Sequence, residues 1–475
     1  MDARRLSLFL AVTVVALSAD AQQPRDVRLV LTHATVVDVA IGAVRTNQTL
    51  IVKGRRIESI SSAAYLPEPN DRVLDAKGAF VIPGLWDMHA HDFQSKKLDQ
   101  ALLWPLELAN GVTGVRIMWG SDAALRQLRP NTDTTPVPKL VVGSPLLDGR
   151  QPMWAGSFSV TSDSQARRLV DSLAASYSFI KVYQFLEPDA FMAIANAARR
   201  KNIAIDGHLP TAISPREAVL AGLHTFEHGI GLSLACSRHE TTLRAQLVAD
   251  MRAADTGFAS HAAIMFREES APIASFDSQK CATLMRDLAR ANVRIVPTLT
   301  LWQGFVRARE PGAVRDPRMR YIAPPVRAAW QGAASQPDTN LHATAVFEQM
   351  KRLTLLASQA GVPLLAGTDA FNPFVYAGFG IHEELALMVA SGLTPLQALR
   401  TATLNPAIVF GATDYSGTVA PGKIADLVLL DGNPLENIGN TRRIRAVVLD
   451  GRLLTRSTLD SLLTSVERAA RELPR

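Results

Sequence analysis

The chain has 475 residues, of which 47% are hydrophobic and 20% charged, with a formal net charge of +6. This is ordinary globular composition with enough apolar material for a large core. The basic residues are scattered instead of forming a stripe, which argues against nucleic acid as a partner. In chain order, the N-terminus comes first. Arg4 and Arg5 precede an apolar run, Leu6 to Leu17, and then Ala19-Asp20-Ala21. This pattern predicts a signal peptide over 1–21, with Gln22 as the mature start. The apolar run is short for a membrane span, and no later segment is a span candidate. The mature chain is therefore expected to be exported, periplasmic or secreted, with no stable membrane span after signal cleavage.

Residues 27–80 alternate in strand fashion. Strands are predicted at Val27–Leu31, Ala34–Val39 and Thr49–Lys53, and Gly54-Arg55-Arg56-Ile57 makes a hairpin-like turn into another. A second strand-rich block follows near the C-terminus, at Asp426–Leu430 and Ile444–Gly451. Between these blocks short apolar strands alternate with amphipathic helical stretches, the signature of βα units and a parallel sheet. Ser214-Pro215-Arg216-Glu217 and Thr394-Pro395-Leu396-Gln397 have capping-box form and mark helix starts.

The strand before His89 is followed by Gly114–Met118, Leu140–Gly143, Phe179–Tyr183, Ala204–His208, Thr225–His228, Val293–Thr298 and Val362–Asp369. Eight βα units predict an α/β fold, a (β/α)8 TIM barrel over 85–412. The barrel is inserted in a small β-sandwich formed from both chain ends, 22–84 and 413–475, with a C-terminal helix. The Arg- and Pro-rich stretch from about 301 to 350 is expected to be an irregular excursion that could cover the barrel mouth. Cys236 and Cys281 are the two cysteines, and spacing leaves open whether they pair.

Functional groups in such a barrel project from the C-terminal ends of strands. His89 and His91 are two residues apart at the end of the first strand, so both imidazoles share a face. Lys181, His208, His228 and Asp369 follow at the ends of strands four, five, six and eight. Each has a plainer reading alone, as a packed histidine, a snorkelling lysine or a helix-capping aspartate. Lys181 lies between Ile180 and Val182, where an unpartnered ammonium would be costly. Tyr183 shares its face and could touch a substrate. His224 is read as structural, and His382 as solvated helix surface.

The chain resembles the metal-dependent amidohydrolase superfamily, in particular the branch of imidazolonepropionase-like proteins and Xaa-Pro dipeptidases of prolidase type. The motifs are Val81–His91, Phe179–Tyr183, Gly207-His208, Ala221–Gly229, Ala366–Asp369, Gly392–Ala407 and Gly417–Leu430. The resemblance implies two divalent metal ions, with zinc expected first because it suits imidazole and carboxylate ligands. His89, His91 and Asp369 would hold one ion and His208 and His228 the other. Lys181, carboxylated by carbon dioxide, would bridge them. The implied reaction is hydrolysis of an amide or peptide C–N bond by metal-bridged hydroxide, with Asp369 as proton acceptor. The substrate would be a small amide: a dipeptide, an N-acyl amino acid or a cyclic amide. A mononuclear deaminase or imidazolonepropionase-like hydrolase is the alternative enzyme, and a non-enzymatic binding barrel the alternative outside enzymes. A homo-oligomer is left open. Many relatives carry Arg-Asp where this chain has Arg116-Ile117, so no role is assigned to Arg116.

Overall fold

The computed structural model describes residues 27–128, 136–254, 258–334 and 342–473. The expected signal peptide lies outside them. The first strand, β1 (Arg28–Asp38), pairs antiparallel with β2 (Ala43–Lys53), and β2 with β3 (Arg56–Ser61). The two strands expected at Val27–Leu31 and Ala34–Val39 are thus one. It bends at His33, which adopts φ +50°, and its register shifts on either side of Ala34. The strands β4 (Arg72–Asp75) and β5 (Phe80–Pro83) pair parallel with β1.

Three parallel strands follow: β6 (Leu85–Ala90), β7 (Val112–Ile117) and β8 (Lys139–Val142). A second parallel set contains β9 (Leu147–Asp148), β10 (Phe158–Ser159), β11 (Phe179–Val182), β12 (Ala204–Gly207), β13 (Leu223–Glu227) and β14 (Arg294–Val296), in the order β10-β9-β11-β12-β13-β14. Helices separate the long-range strand partners, as parallel pairing requires. All residues of β7, β11 and β13 are buried except His224. Such strands, covered on both faces, belong to α/β proteins.

The two parallel sets are joined by backbone hydrogen bonds. Ser144 N donates to Phe179 O at 2.9 Å, and Ser178 N to Val142 O at 2.8 Å. Beyond β14, the segment expected as an eighth strand, Val362–Asp369, has only an isolated bridge, Leu364 to Ile295. Pro363 has no N–H, so the segment cannot form a regular ladder there. It still spans the gap: Leu365 N donates to Ile295 O, while Met88 N donates to Ala366 O and Thr368 N to His89 O. Gly367 lets it pass this close, since a Cβ there would lie 2.7 Å from His89 Cβ.

The last strands are β15 (Leu427–Leu430), β16 (Ile444–Leu449) and β17 (Arg452–Thr455). They join the N-terminal strands in one sheet of order β17-β16-β15-β5-β1-β2-β3, with β4 beside β1. The sheet is therefore built from both ends of the sequence. The helix Arg456–Glu472 is capped by Thr455, whose side chain accepts from Thr458 N. It buries Leu459, Leu462, Val466 and Ala470, a stripe at helical spacing.

Two expectations are corrected. The described part of 301–350 is mostly helical: Leu299–Arg307, Pro324–Ala334 and the start of Ala343–Gln359. Apolar residues at helical spacing outweigh its prolines, and Pro324 starts a helix, a position where its missing N–H costs nothing. His382, expected on solvated surface, is buried in the helix Phe379–Ala390. Its Nδ1 lies 3.0 Å from Thr441 Oγ1 and its Nε2 3.0 Å from Asn110 O. Cys236 and Cys281 form a disulfide with a Cα separation of 4.5 Å.

His382 makes a pH prediction. Burial, with a smaller effect from Arg442, lowers its pKa from the ordinary 6.5 to about 4. The unfolded chain takes up this proton near pH 6.5 and the folded chain only near 4, so stability is lost as pH falls between them. His382→Gln should flatten that part of the profile of thermal midpoint against pH. An unchanged slope would show that this imidazole does not contribute.

Candidate metal centre

His89 and His91 lie at the end of β6, and the strand period turns both toward one cavity of about 430 Å³. Lys181 on β11, Tyr183 just after it, His208 after β12, His228 after β13 and Asp369 line the same cavity. All seven predicted site residues are therefore brought together. His224 is exposed on β13 and stands apart from them.

The tightest group is His89, His228 and Asp369, whose ligand atoms lie within 4.8 Å of one another. His91 Nε2 is 2.8 Å from Asp369 Oδ1, and His89 Nε2 is 3.5 Å from the same oxygen. The rings of His89 and His228 are 4.4 Å apart, and those of His208 and His228 4.8 Å. His228 and Asp369 both adopt left-handed backbone, with φ +62° and +60°. Such conformations are rare outside glycine and cluster at functional sites.

Partners behind the imidazoles fix their orientation. His89 Nδ1 is 2.7 Å from Glu227 Oε2, and His228 Nδ1 is 2.8 Å from Thr298 Oγ1. Asp87 accepts from His89 N and Thr368 N, both at 3.0 Å, and so ties β6 to the segment carrying Asp369. Arg116, which was assigned no role, is the hub of this layer. It is 1% exposed, and its Nη2 donates to Glu227 Oε1 at 2.6 Å, its Nη1 to Asp206 Oδ2 at 3.2 Å and its Nε to Met88 O at 2.7 Å. The charges that answer Arg116 come from β12 and β13.

The electrostatics follow from burial. Desolvation lowers His89 to about 4 and holds His208 and His228 well below the ordinary histidine value, so these imidazoles are neutral. Burial pulls the Lys181 ammonium down to about 8. Burial alone would raise Asp369, yet at low pH, where His228, His89 and His91 take up protons, their charges outweigh it, so the carboxyl titrates well below the usual range. Glu227 is likewise raised by burial but lowered further by Arg116 and His89. Lys181 Nζ and His208 Nδ1 are buried with no hydrogen-bond partner among the described residues. Neutral imidazoles, a carboxylate and a buried unpartnered amine form a donor set suited to divalent cations.

Trp154 was also outside the sequence reading. Its Nε1 donates to the Tyr183 hydroxyl at 2.7 Å, and the Tyr183 ring stacks on His208 at 4.1 Å. No motif marks it, because it lies in the loop after β9.

Comparison with known proteins agrees with this geometry. A segment of 88 residues is 41% identical to an adenine deaminase of Methylobacterium sp. (strain 4-46), covering 18% of this chain and 15% of that protein. The matched segments span only 9–22% of the length of the curated relatives. Among solved structures, a bottromycin amidohydrolase is similar over 94% of this chain and 91% of its own, with TM-score 0.67 and 24% identity. A Xaa-Pro dipeptidase with methionine bound in its active site is similar over 90% of this chain and all of its own, with TM-score 0.63 and 18% identity. At these identities the structural likeness establishes the α/β fold. The sequence model of the amidohydrolase family matches residues 183–454, more than half of the chain, and the protein belongs to that family.

Proposed function

We propose that the protein is a binuclear metal-dependent hydrolase of amide or peptide C–N bonds. The observation that carries this reading is the Lys181 amine, buried without a hydrogen-bond partner among the described residues in a cavity walled by His89, His91, His208, His228 and Asp369. A solitary buried ammonium is costly, and its lowered pKa raises the share of neutral amine above that of an ordinary lysine. That amine can add to carbon dioxide, forming an N–C bond and releasing a proton, and so become an anionic oxygen ligand. His89, His91 and Asp369 would then hold one divalent ion and His208 and His228 the second, with modified Lys181 between them.

Bound divalent cations, zinc by donor type, would supply an acidified water and a polarised carbonyl. The chain's own groups do the rest. Asp369, ionised because its carboxyl titrates well below the usual range, takes a proton from the attacking water and returns it to the leaving nitrogen. The Tyr183 oxygen accepts from Trp154, and its O–H, which points to Met153 Sδ at 4.0 Å, can turn to donate to the substrate carbonyl. Burial pushes this phenol well above its ordinary pKa, so it stays a donor. Glu227, Thr298 and Arg116 keep the imidazoles oriented.

One observation favours a mononuclear deaminase or cyclic-amide hydrolase as second reading: among the described residues the tight group of ligand atoms comprises only His89, His228 and Asp369. Metal stoichiometry separates the two. Protein prepared with bicarbonate should contain about two divalent ions per chain by mass spectrometry. Lys181→Ala should lose the pair and its hydrolysis, with added short-chain carboxylates restoring part of both. One ion at full occupancy, or an unchanged metal content in the variant, would reject the bridging role.

The same reading extends to architecture and address. We take β6, β7, β8, β11, β12, β13, β14 and the Val362–Asp369 segment as the eight units of a (β/α)8 barrel over 85–412, supported by the hydrogen bonds that run from β14 through this segment to β6. The end sheet with its helix is the composite second domain. Export follows from the leader-like N-terminus, and sequencing the N-terminus of the secreted or periplasmic protein tests it, with Gln22 expected first. Among the described residues no helix is long and apolar enough to cross a membrane.

A further inference from the structure

We infer that this site takes aromatic amides that lack a free carboxylate, and discriminates against dipeptides and N-acyl amino acids. The inference rests on the hydrolase reading above and narrows it. Its first ground is the cavity wall. The Trp119 and Trp154 rings are 6.2 Å apart, those of Phe93 and Phe371 stack at 4.5 Å, and those of Trp302 and Phe305 are 6.2 Å apart. All six line the cavity that holds the metal-centre residues. They come from the segments after β6, β7, β9 and β14 and after Asp369, so aromatic surface borders the centre on several sides. Trp119, Trp154, Phe93, Phe371 and Phe305 are only half-buried. These rings offer apolar faces that a substrate's aromatic groups would cover, with stacked and edge contacts adding to burial.

The second ground is charge. Among the described lining residues there is no guanidinium, and the one amine is the buried Lys181. Three guanidinium groups on adjoining segments are already engaged. Arg307, on the helix that carries Trp302 and Phe305, pairs with Glu383 at 2.9 Å, and Arg318 pairs with Glu383 at 2.8 Å. Arg116, on the strand leading to Trp119, is spent on Glu227 and Asp206. Asp92, which also lines the cavity, adds a carboxylate and not a cation. A substrate carboxylate would therefore be stripped of water among rings with no guanidinium to receive it. An uncharged aromatic amide meets no such cost.

A matched pair tests this on the metal-replete enzyme: N-benzoyl-2-phenylethylamine and N-benzoyl-phenylalanine, which differ by one carboxylate. The neutral compound should show a kcat/KM at least about tenfold higher. Tryptophan fluorescence titration, which needs no turnover, should show it binding at least about tenfold more tightly, and Phe93→Ala should weaken that binding. Equal or better turnover of the acid overturns the inference and leaves the hydrolase reading intact. Tighter binding of the neutral compound with no cleavage of any amide supports the preference and rejects the hydrolase reading. Equal binding of both with no cleavage rejects both.

Discussion

Asp369→Asn should lower kcat by a factor of about 10²–10⁴, the usual worth of a positioned proton carrier, while the protein remains folded. Asparagine keeps the shape of the side chain but cannot take a proton from water and return it to nitrogen. The substitution suits the backbone, because Asn tolerates the left-handed conformation that Asp369 adopts at φ +60°. The main-chain bonds that hold the residue also persist: its N–H donates to His89 O at 2.7 Å, and its carbonyl accepts from Asn372. Turnover should therefore collapse while the thermal midpoint moves little. Near-normal kcat in a folded variant would remove Asp369 as the proton carrier.

Arg116→Met should destabilise the fold by about 3–5 kcal/mol, the range for breaking a buried ion pair from one side. The thioether fills much of the space, but Glu227 and Asp206 lose the charge that answers them. Glu227 is fully buried, and the Arg116 guanidinium is the largest influence holding it ionised against burial. Its Oε2 orients His89, so the damage should reach the metal centre as well. Denaturant unfolding gives the stability loss, and titration with zinc should show affinity reduced by about 10–100-fold, as for other groups that orient a ligand. Arg116→Lys, which keeps the charge but not the forked geometry, should fall between the two. Wild-type stability in Arg116→Met would mean that Glu227 and Asp206 are satisfied without it.

The candidate site was legible because its residues obey two local rules. Side chains alternate along strands, and functional groups sit at strand ends, so His89, His91, Lys181, His208, His228 and Asp369 could be placed on one rim before any distance was known. Other features depend on contacts between segments far apart in the chain. Arg116 looked unassigned because its sequence neighbour is Ile117, whereas its partners Asp206 and Glu227 are 90 and 111 residues away. His382 sits on a helix whose first turn could face water, and only Thr441 and Asn110 show that it does not. Pairing of Cys236 with Cys281 turned on a Cα distance that a separation of 45 residues does not determine. The segment before Asp369 has strand-like composition, but Pro363 and two flanking partners give it an irregular path. The aromatic wall was hidden for the same reason, as its rings come from five separate segments.

The sheet built from both ends of the sequence has a consequence for how the molecule is made. β5 pairs with β15, and Pro83 lies opposite Leu427. During synthesis, β1–β5 emerge first and must wait for more than 340 further residues before that edge is paired. Throughout this interval β5 presents a bare row of acceptors and donors, an invitation to intermolecular pairing. Closing so long a loop also places this contact among the slow, non-local steps of assembly. The C-terminal strands thus act as the fastening of a clasp that is laid down first and shut last. A chain kept unfolded until it is released whole would avoid the exposed stage altogether.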